Sequence, residues 1–203
     1  MMNKFLAIVA ALLIPLVTAC NPAAPNGEME AAAEPPLAGA KIGGSFSLIN
    51  QNGDRITDKD FDGKYRIFYF GYTYCPDVCP VDLSKLMLGL KQAEKDDPAI
   101  AQKVQPIFVT IDPERDRPKA MKKYVANFHP RLIGLTGTNE EIAAIAEKYL
   151  IIYDRRESEG ASEYLMDHSR QAYLFGPKGE PLALLPFDGT PREIADEIVR
   201  WVR

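Results

Sequence analysis

The sequence predicts an α/β domain: a mixed central sheet with helices on both faces, led by an N-terminal β-hairpin and carrying an inserted helix–strand. Three observations predict it. From Tyr65 to Leu135, apolar β-branched and aromatic runs alternate with segments of helical spacing; such alternation demands crossover connections and hence parallel strands. Turn-forming clusters at Asn50–Gly53 and Gly176–Gly179 mark hairpins at the two ends, which add antiparallel strands. Two capping boxes, Thr138-Asn139-Glu140-Glu141 and Thr190-Pro191-Arg192-Glu193, open helices, because Thr and Glu satisfy each other's free backbone N–H.

Ser45–Ile49 and Arg55–Thr57 flank Asn50-Gln51-Asn52-Gly53, where Asn-Gly readily takes positive φ, and form the leading hairpin. Tyr65–Tyr72 is apolar and aromatic enough to be a buried central strand. Pro80 suits a first helical position, where its missing N–H is not needed. Leu83, Leu86, Met87 and Leu90 then recur at helical spacing, to about Asp96. Val104–Ile111 is the next strand and ends in the polar loop Asp112–Asp116. A helix from Pro118 places Met121, Tyr124, Val125 and Phe128 on one face, with Arg131–Leu135 as a short strand after it. The helix opened by Thr138 carries Ile142, Ile145, Ala146 and Tyr149; together with Leu150–Tyr153, read as extended, it makes the insert. Asp154–Ser162 is charged and reads as a surface loop. Gln171–Phe175 and Pro181–Leu185 form the second hairpin, and the last helix carries Ile194, Ile198 and Trp201. This order is the thioredoxin arrangement with a hairpin in front and an added helix–strand. It puts the residues after Tyr72 at the carboxyl edge of a central strand, where open α/β sheets hold their chemistry.

The 203 residues carry 24 Lys and Arg against 28 Asp and Glu. There is no basic footprint, phosphate-binding glycine loop or internal repeat, which argues against nucleic-acid and nucleotide partners. Residues 1–19 read as an export signal, with Lys4 in the charged region and Phe5–Val17 as an apolar stretch too short to favour a spanning helix. Val17-Thr18-Ala19-Cys20 resembles a bacterial lipobox, in which cleavage precedes the cysteine and its sulfur takes a diacylglycerol. Lipidation of Cys20 would hold the protein on a membrane. Residues 20–40 are rich in Ala, Pro and Glu and read as a disordered tether, spanning roughly 25 Å as a flexible coil. Residues 41–203 are the folded domain. It is expected to be a monomer, anchored in a bacterial cell envelope with the domain on the periplasmic or extracytoplasmic side.

Cys75 and Cys79 are the only thiols in that domain. They lie four positions apart in Tyr-Cys-Pro-Asp-Val-Cys-Pro, where a strand gives way to a helix, and residues at that spacing are neighbours on a helix surface. A helix N-terminus stabilises thiolate over thiol, so two acidified sulfurs are expected side by side. Such a pair suits either a soft metal or a disulfide cycle. The chain has two histidines. His168, in Tyr164-Leu165-Met166-Asp167-His168-Ser169, precedes the strand at Gln171; in a thioredoxin arrangement the loop before that strand faces the cysteine loop. His129, between Phe128 and Pro130, reads as a surface helix terminator.

Three segments in order, Gly71-Tyr72-Thr73-Tyr74-Cys75-Pro76-Asp77-Val78-Cys79-Pro80, Thr110-Ile111-Asp112-Pro113-Glu114-Arg115-Asp116 and Asp167-His168-Ser169, make the chain resemble the Sco/SenC family of copper-binding proteins that assist cytochrome c oxidase assembly. The resemblance covers essentially all of Lys41–Arg203. It implies copper as the metal, Cys75, Cys79 and His168 as its ligands, and the oxidase subunit carrying the binuclear copper centre (CuA) as the client, with a separate copper donor protein upstream.

The chemistry of the donors agrees with that implication. Two thiolates and an imidazole favour Cu(I) and can hold Cu(II) with an added oxygen ligand, whereas structural zinc wants a closed fourth ligand. A Cys75–Cys79 disulfide could not bind the metal. The competing function is a thiol–disulfide oxidoreductase in which Cys75 and Cys79 are the redox pair and reduce the cysteines of a copper site. Against it, the sulfurs are one residue further apart than in Cys-x-x-Cys enzymes, and Asp167-His168-Ser169 replaces the facing proline. A peroxiredoxin would want Ser or Thr where Tyr72 stands and Pro where Phe68 stands. Among the remaining polar residues, Asp116 reads as a cap for the helix at Pro118, Asp112 as a turn residue, and Asp167 as a weak candidate to orient His168. Tyr72 and Tyr74 read as core and rim aromatics.

Overall fold

The computed structural model describes residues 33–157 and 164–203. The export signal and Cys20 lie outside the described residues, as do residues 158–163 of the charged segment. Glu34–Arg203 forms one compact unit, and ahead of Lys41 the side chain of Leu37 packs on the core while its N–H donates to Leu182 O.

The elements in chain order are β1 (Ser47–Asn50), β2 (Arg55–Thr57), β3 (Tyr65–Gly71), α1 (Val78–Asp96), a short α2 (Pro98–Ala101), β4 (Val104–Thr110), α3 (Pro118–Val125), β5 (Ile133–Thr136), α4 (Asn139–Lys148), β6 (Tyr153–Arg156), β7 (Leu165–His168), β8 (Ala172–Phe175), β9 (Pro181–Leu184) and α5 (Pro191–Trp201). Seven strands form one mixed sheet in the order β2-β1-β5-β4-β3-β8-β9. β3, β4 and β5 are parallel, while β8 runs antiparallel to β3 and β1 antiparallel to β5. Every residue of β3 and β4 is buried, as expected for strands covered on both faces. On one face of the sheet Tyr69 stacks with Phe108 and meets Asp82 of α1, while Phe108 packs on Tyr124 of α3. On the other, Phe68 and Phe70 pack against Tyr149 at the end of α4. The expected fold class holds.

Both hairpin turns form, with Gly53 and Gly179 at positive φ. Both capping boxes form too: the Glu141 and Glu193 N–H groups donate to Thr138 and Thr190 Oγ, and each carboxylate accepts from its threonine's N–H.

The insert departs from expectation. Leu150 is not extended but left-handed, with φ 55°. It closes α4 in a Schellman motif, the Ile151 N–H donating to Ala146 O at 2.8 Å and the Leu150 N–H to Glu147 O at 3.1 Å. Asp154–Arg156, expected as loop, continue from Tyr153 as a strand that pairs antiparallel with Leu165–His168, also unforeseen as a strand. The two form a separate sheet with no ladder to the main one. Apart from half-buried Tyr153, β6 is exposed, so it lacks the apolar alternation by which strands are read. An Arg156–Asp167 ion pair at 2.7 Å ties its two strands.

The register explains where the chemistry lies. Gly71 ends β3 opposite Thr110, which ends β4, and Ala172 begins β8 opposite Tyr69. The cysteine loop, the Asp112–Asp116 loop and the segment after His168 therefore leave the sheet at one edge.

Candidate metal centre

α1 begins at Val78, two residues before Pro80. Proline is tolerated there because the first four N–H groups of a helix have no partner within it. Asp77, the N-cap residue, makes no side-chain cap bond. Its place is taken by sulfur: the Cys79 N–H donates to Cys75 Sγ at 3.4 Å. Cys75 thus sits at the mouth of the helix, half-buried, and Cys79 on its first turn, fully buried; both thiols are free. Gly71 makes the room. A Cβ at that position would lie 3.1 Å from Cys79 Sγ and 3.1 Å from the Phe108 ring.

The two sulfurs are not equally acidified, contrary to expectation. The hydrogen bond from Cys79 holds Cys75 well below the usual thiol range, helped by backbone N–H groups at the helix mouth. The same hydrogen bond, with burial, pushes Cys79 up, because a second charge beside a thiolate in a dry site is costly. The pair therefore loses its first proton easily and its second with difficulty.

His168 ends β7. Its Nδ1 lies 2.8 Å from Ser169 O and its Nε2 lies 3.2 Å from Cys79 Sγ. A carbonyl can only accept, so Nδ1 carries the proton and Nε2 presents its lone pair to the sulfurs. Tyr69 and Tyr72 meet the imidazole edge-on, at 6.5 and 6.2 Å between ring centroids. Asp167 does not orient the ring; neighbouring residues of a strand point to opposite faces, and it pairs with Arg156 instead.

His129 is buried rather than superficial, its Nε2 against Glu94 and its Nδ1 accepting from the Arg131 N–H. Glu94 lies fifteen residues beyond Cys79 on α1, so about 22 Å along the helix axis. His129 is therefore remote from the thiols.

Asp116 does not cap α3, whose N-cap is Arg117. Its N–H donates to Asp112 O, and its carboxylate, fully buried, accepts from the Thr73 N–H at 2.9 Å, Thr73 Oγ at 2.5 Å and Thr110 Oγ at 2.6 Å. It pins the cysteine loop two residues before Cys75. Burial pushes its carboxyl up against the opposing pull of these donors. Asp112, read as a turn residue, accepts from Arg115 Nε at 2.5 Å and Tyr164 OH at 2.8 Å. The Arg115 guanidinium stacks on Tyr164, 3.6 Å from its centroid, and lies 4.8 Å from the Tyr74 ring. Tyr72 is core and Tyr74 half-exposed rim, as expected.

One ion pair beside the site went unread. Asp82, on the first turns of α1 and fully buried, takes a two-pronged bond from Arg170 and a third from Tyr69 OH. An acid three residues after Cys79 and an arginine two after His168 are the only local signals, and neither names the other.

Among the described residues no three or more His, Cys, Asp or Glu side chains are already disposed about one point as a metal cage. Two thiols and an imidazole lie side by side at the mouth of α1. This donor set fits a soft cation.

The SCO1/SenC family description matches residues 34–203. The chain belongs to the SCO1/SenC family. A mitochondrial SCO1 homologue of Arabidopsis thaliana is 41% identical over 182 residues, covering 88% of this chain and 52% of the relative; the chain spans about half the length of several curated relatives it matches. Bradyrhizobium japonicum ScoI, solved with copper bound, is 39% identical with a TM-score of 0.71, covering 79% of this chain and 99% of that one. BsSco, described as having a disulfide switch and as a member of the Sco family of cytochrome c oxidase assembly proteins, is 27% identical with a TM-score of 0.62, covering 82% and 95%. The thioredoxin-like fold of this SCO1/SenC member follows from its own topology and from these likenesses. Among the described residues no helix is long and apolar enough to cross a membrane.

Proposed function

We propose that this SCO1/SenC protein is a membrane-tethered copper metallochaperone that holds copper through Cys75, Cys79 and His168 and assists assembly of the CuA centre of cytochrome c oxidase. One observation carries it: His168 Nε2, its lone pair freed by the Nδ1 bond to Ser169 O, stands 3.2 Å from Cys79 Sγ. Copper is cargo here. Binding displaces the thiol protons, which makes loading dependent on reduced cysteines and on pH. A three-donor site leaves an open side through which the ligands of a receiving site can enter and exchange, without any change in copper's oxidation state. Copper-bound ScoI and the oxidase-assembly role described for BsSco support the assignment. A copper donor protein loads the site, the CuA-bearing oxidase subunit receives from it, and lipid on Cys20 keeps the monomer at the outer face of a bacterial membrane within reach of both.

A competition titration of the reduced, detergent-solubilised chain against a Cu(I) chelator tests the proposal. One Cu(I) per chain is expected, with binding weakened by His168→Ala, abolished by Cys75→Ser or Cys79→Ser, and untouched by His129→Ala. Unchanged affinity in His168→Ala would remove the imidazole from the site. Mass spectrometry of the membrane fraction should find acylated Cys20 as the new N-terminus.

A second function is favoured by the asymmetry of the thiols. Cys75, half-exposed and acidic, suits attack on a client disulfide; Cys79, buried beside it, then resolves the mixed disulfide once it has given up its proton. Two electrons and two protons would pass to the client as Cys75 and Cys79 become a disulfide. Reduction of an oxidised copper-site peptide that persists in His168→Ala would mark this activity.

A further inference from the structure

His168 stands apart from the framework that fixes the cysteines. β6 and β7 share no ladder with the main sheet, and main-sheet pairing resumes only at Ala172, opposite Tyr69. Three residues span the gap. Ser169 hooks back onto the hairpin base, its N–H donating to Ile152 O at 2.8 Å and its Oγ accepting from the Ile152 N–H at 2.7 Å. Arg170 alone of the three grips the cysteine helix by its side chain: Nε donates to Asp82 Oδ2 at 2.9 Å and Nη2 to Oδ1 at 2.7 Å. Asp82 follows Cys79 by three residues, about 4.5 Å along α1. It is fixed in turn by Tyr69 OH at 3.0 Å, from the strand whose backbone pairs with Ala172.

We propose that the Asp82–Arg170 pair is a clasp that sets His168 at coordinating distance from Cys79, which makes Arg170 a positioning residue for the third metal donor. It rests on the three-donor site proposed above. A guanidinium gripping a carboxylate with two parallel bonds fixes both separation and plane, which a lysine cannot do. Here the fork joins the residue two after the imidazole to the residue three after the buried thiol, so the two donors inherit its geometry. Beyond the fork, the Arg170 guanidinium lies over the Phe187 ring, 5.1 Å from its centroid, and its side chain is 44% accessible against 1% for Asp82.

The test uses the full chain in detergent, with Cu(I) affinity read by chelator competition and Cu(II) coordination by nitrogen superhyperfine structure in the electron paramagnetic resonance spectrum. Arg170→Ala should weaken Cu(I) binding about 10–100-fold, the usual effect of removing an outer partner of a metal ligand, and should diminish the nitrogen pattern. Arg170→Lys should fall between. In a His168→Ala background Arg170→Ala should cost nothing more. Asp82→Asn, which keeps the side-chain volume and frees Arg170 into solvent, carries the same expectation if Arg170→Ala folds poorly around an unpaired Asp82. Wild-type affinity and an intact nitrogen pattern in both variants would overturn the clasp while leaving the site standing. An equal loss with and without His168 would also overturn it, assigning the pair to the thiols or the fold. Insensitivity of the wild type to His168→Ala would instead remove the site on which it rests.

Discussion

Replacing Asp116 by alanine should slacken the cysteine loop and lower stability at the same time. The carboxylate is fully buried and serves three donors, the Thr73 N–H, Thr73 Oγ and Thr110 Oγ. The two hydroxyls can turn to other acceptors, but the Thr73 N–H is fixed by the backbone and would be left facing a cavity. A buried donor without a partner costs about 1–3 kcal/mol, and bonds to a charged acceptor are worth about 1.5–3 kcal/mol each. Removal also relieves the desolvation of the carboxylate, so about 3 kcal/mol is expected for Asp116→Ala and about 1 kcal/mol for Asp116→Asn, which preserves one acceptor. Because burial raises the folded-state pKa, the carboxyl's own titration favours the fold below the ordinary carboxylate range, and that advantage is lost as pH rises through the raised value. Urea unfolding followed by far-UV circular dichroism gives the stability, and hydrogen exchange at the Thr73 amide reports the loop. Unfolding within 0.5 kcal/mol of wild type, with Thr73 exchange unchanged, would refute the assignment of Asp116 as the pin of this loop.

Other outcomes follow from single positions. Gly89→Ala should destabilise by about 1–3 kcal/mol despite alanine's better helix propensity, since the new Cβ would lie 2.4 Å from Ile194 Cγ2 where α1 crosses α5; a rise in melting temperature would contradict so close an approach. Leu150→Gly should stabilise by about 0.5 kcal/mol, because glycine removes the left-handed strain at φ 55° and little packing is lost at a half-exposed side chain; Leu150→Val should do the reverse in the same urea assay. His129 is held below its ordinary pKa chiefly by burial. The unfolded chain therefore binds the proton first, and stability should fall as pH drops below about 6.5. His129→Gln should flatten that limb of the pH–stability profile, and an unaltered profile would show that another group titrates there.

Where the core pays attention to one local pattern at a time, the chain could be read directly. β3, β4 and the two capped helices follow from apolar runs and from Thr-x-x-Glu, each confined to a few successive residues. The hairpin of β6 and β7 could not be, because β6 is exposed and charged beyond Tyr153 and only alternate residues of β7 are half-buried: its strands are defined chiefly by pairing with each other. Leu150 hid its left-handed turn because glycine is the usual sign of one. Cys75, Cys79 and His168 were legible as candidate donors from residue type, the order of elements and the family resemblance, and the structure brings Cys79 and His168 together. Asp116 was misassigned to the nearer helix, since a residue before Pro118 fits a cap locally, while its partner Thr73 lies 43 positions back in the chain.

Residue identity and spacing placed two thiols, suited to a soft metal or to a disulfide cycle, at a strand-to-helix junction, along with the layered α/β framework, because helix periodicity, capping and turn chemistry act over only a few residues. Which thiol is acidic, which nitrogen of His168 faces Cys79, and what keeps that ring in place emerged only on folding. Those properties depend on burial and on partners such as Asp82 and Arg170, 88 positions apart, and contacts of that kind leave no mark in any short stretch of chain.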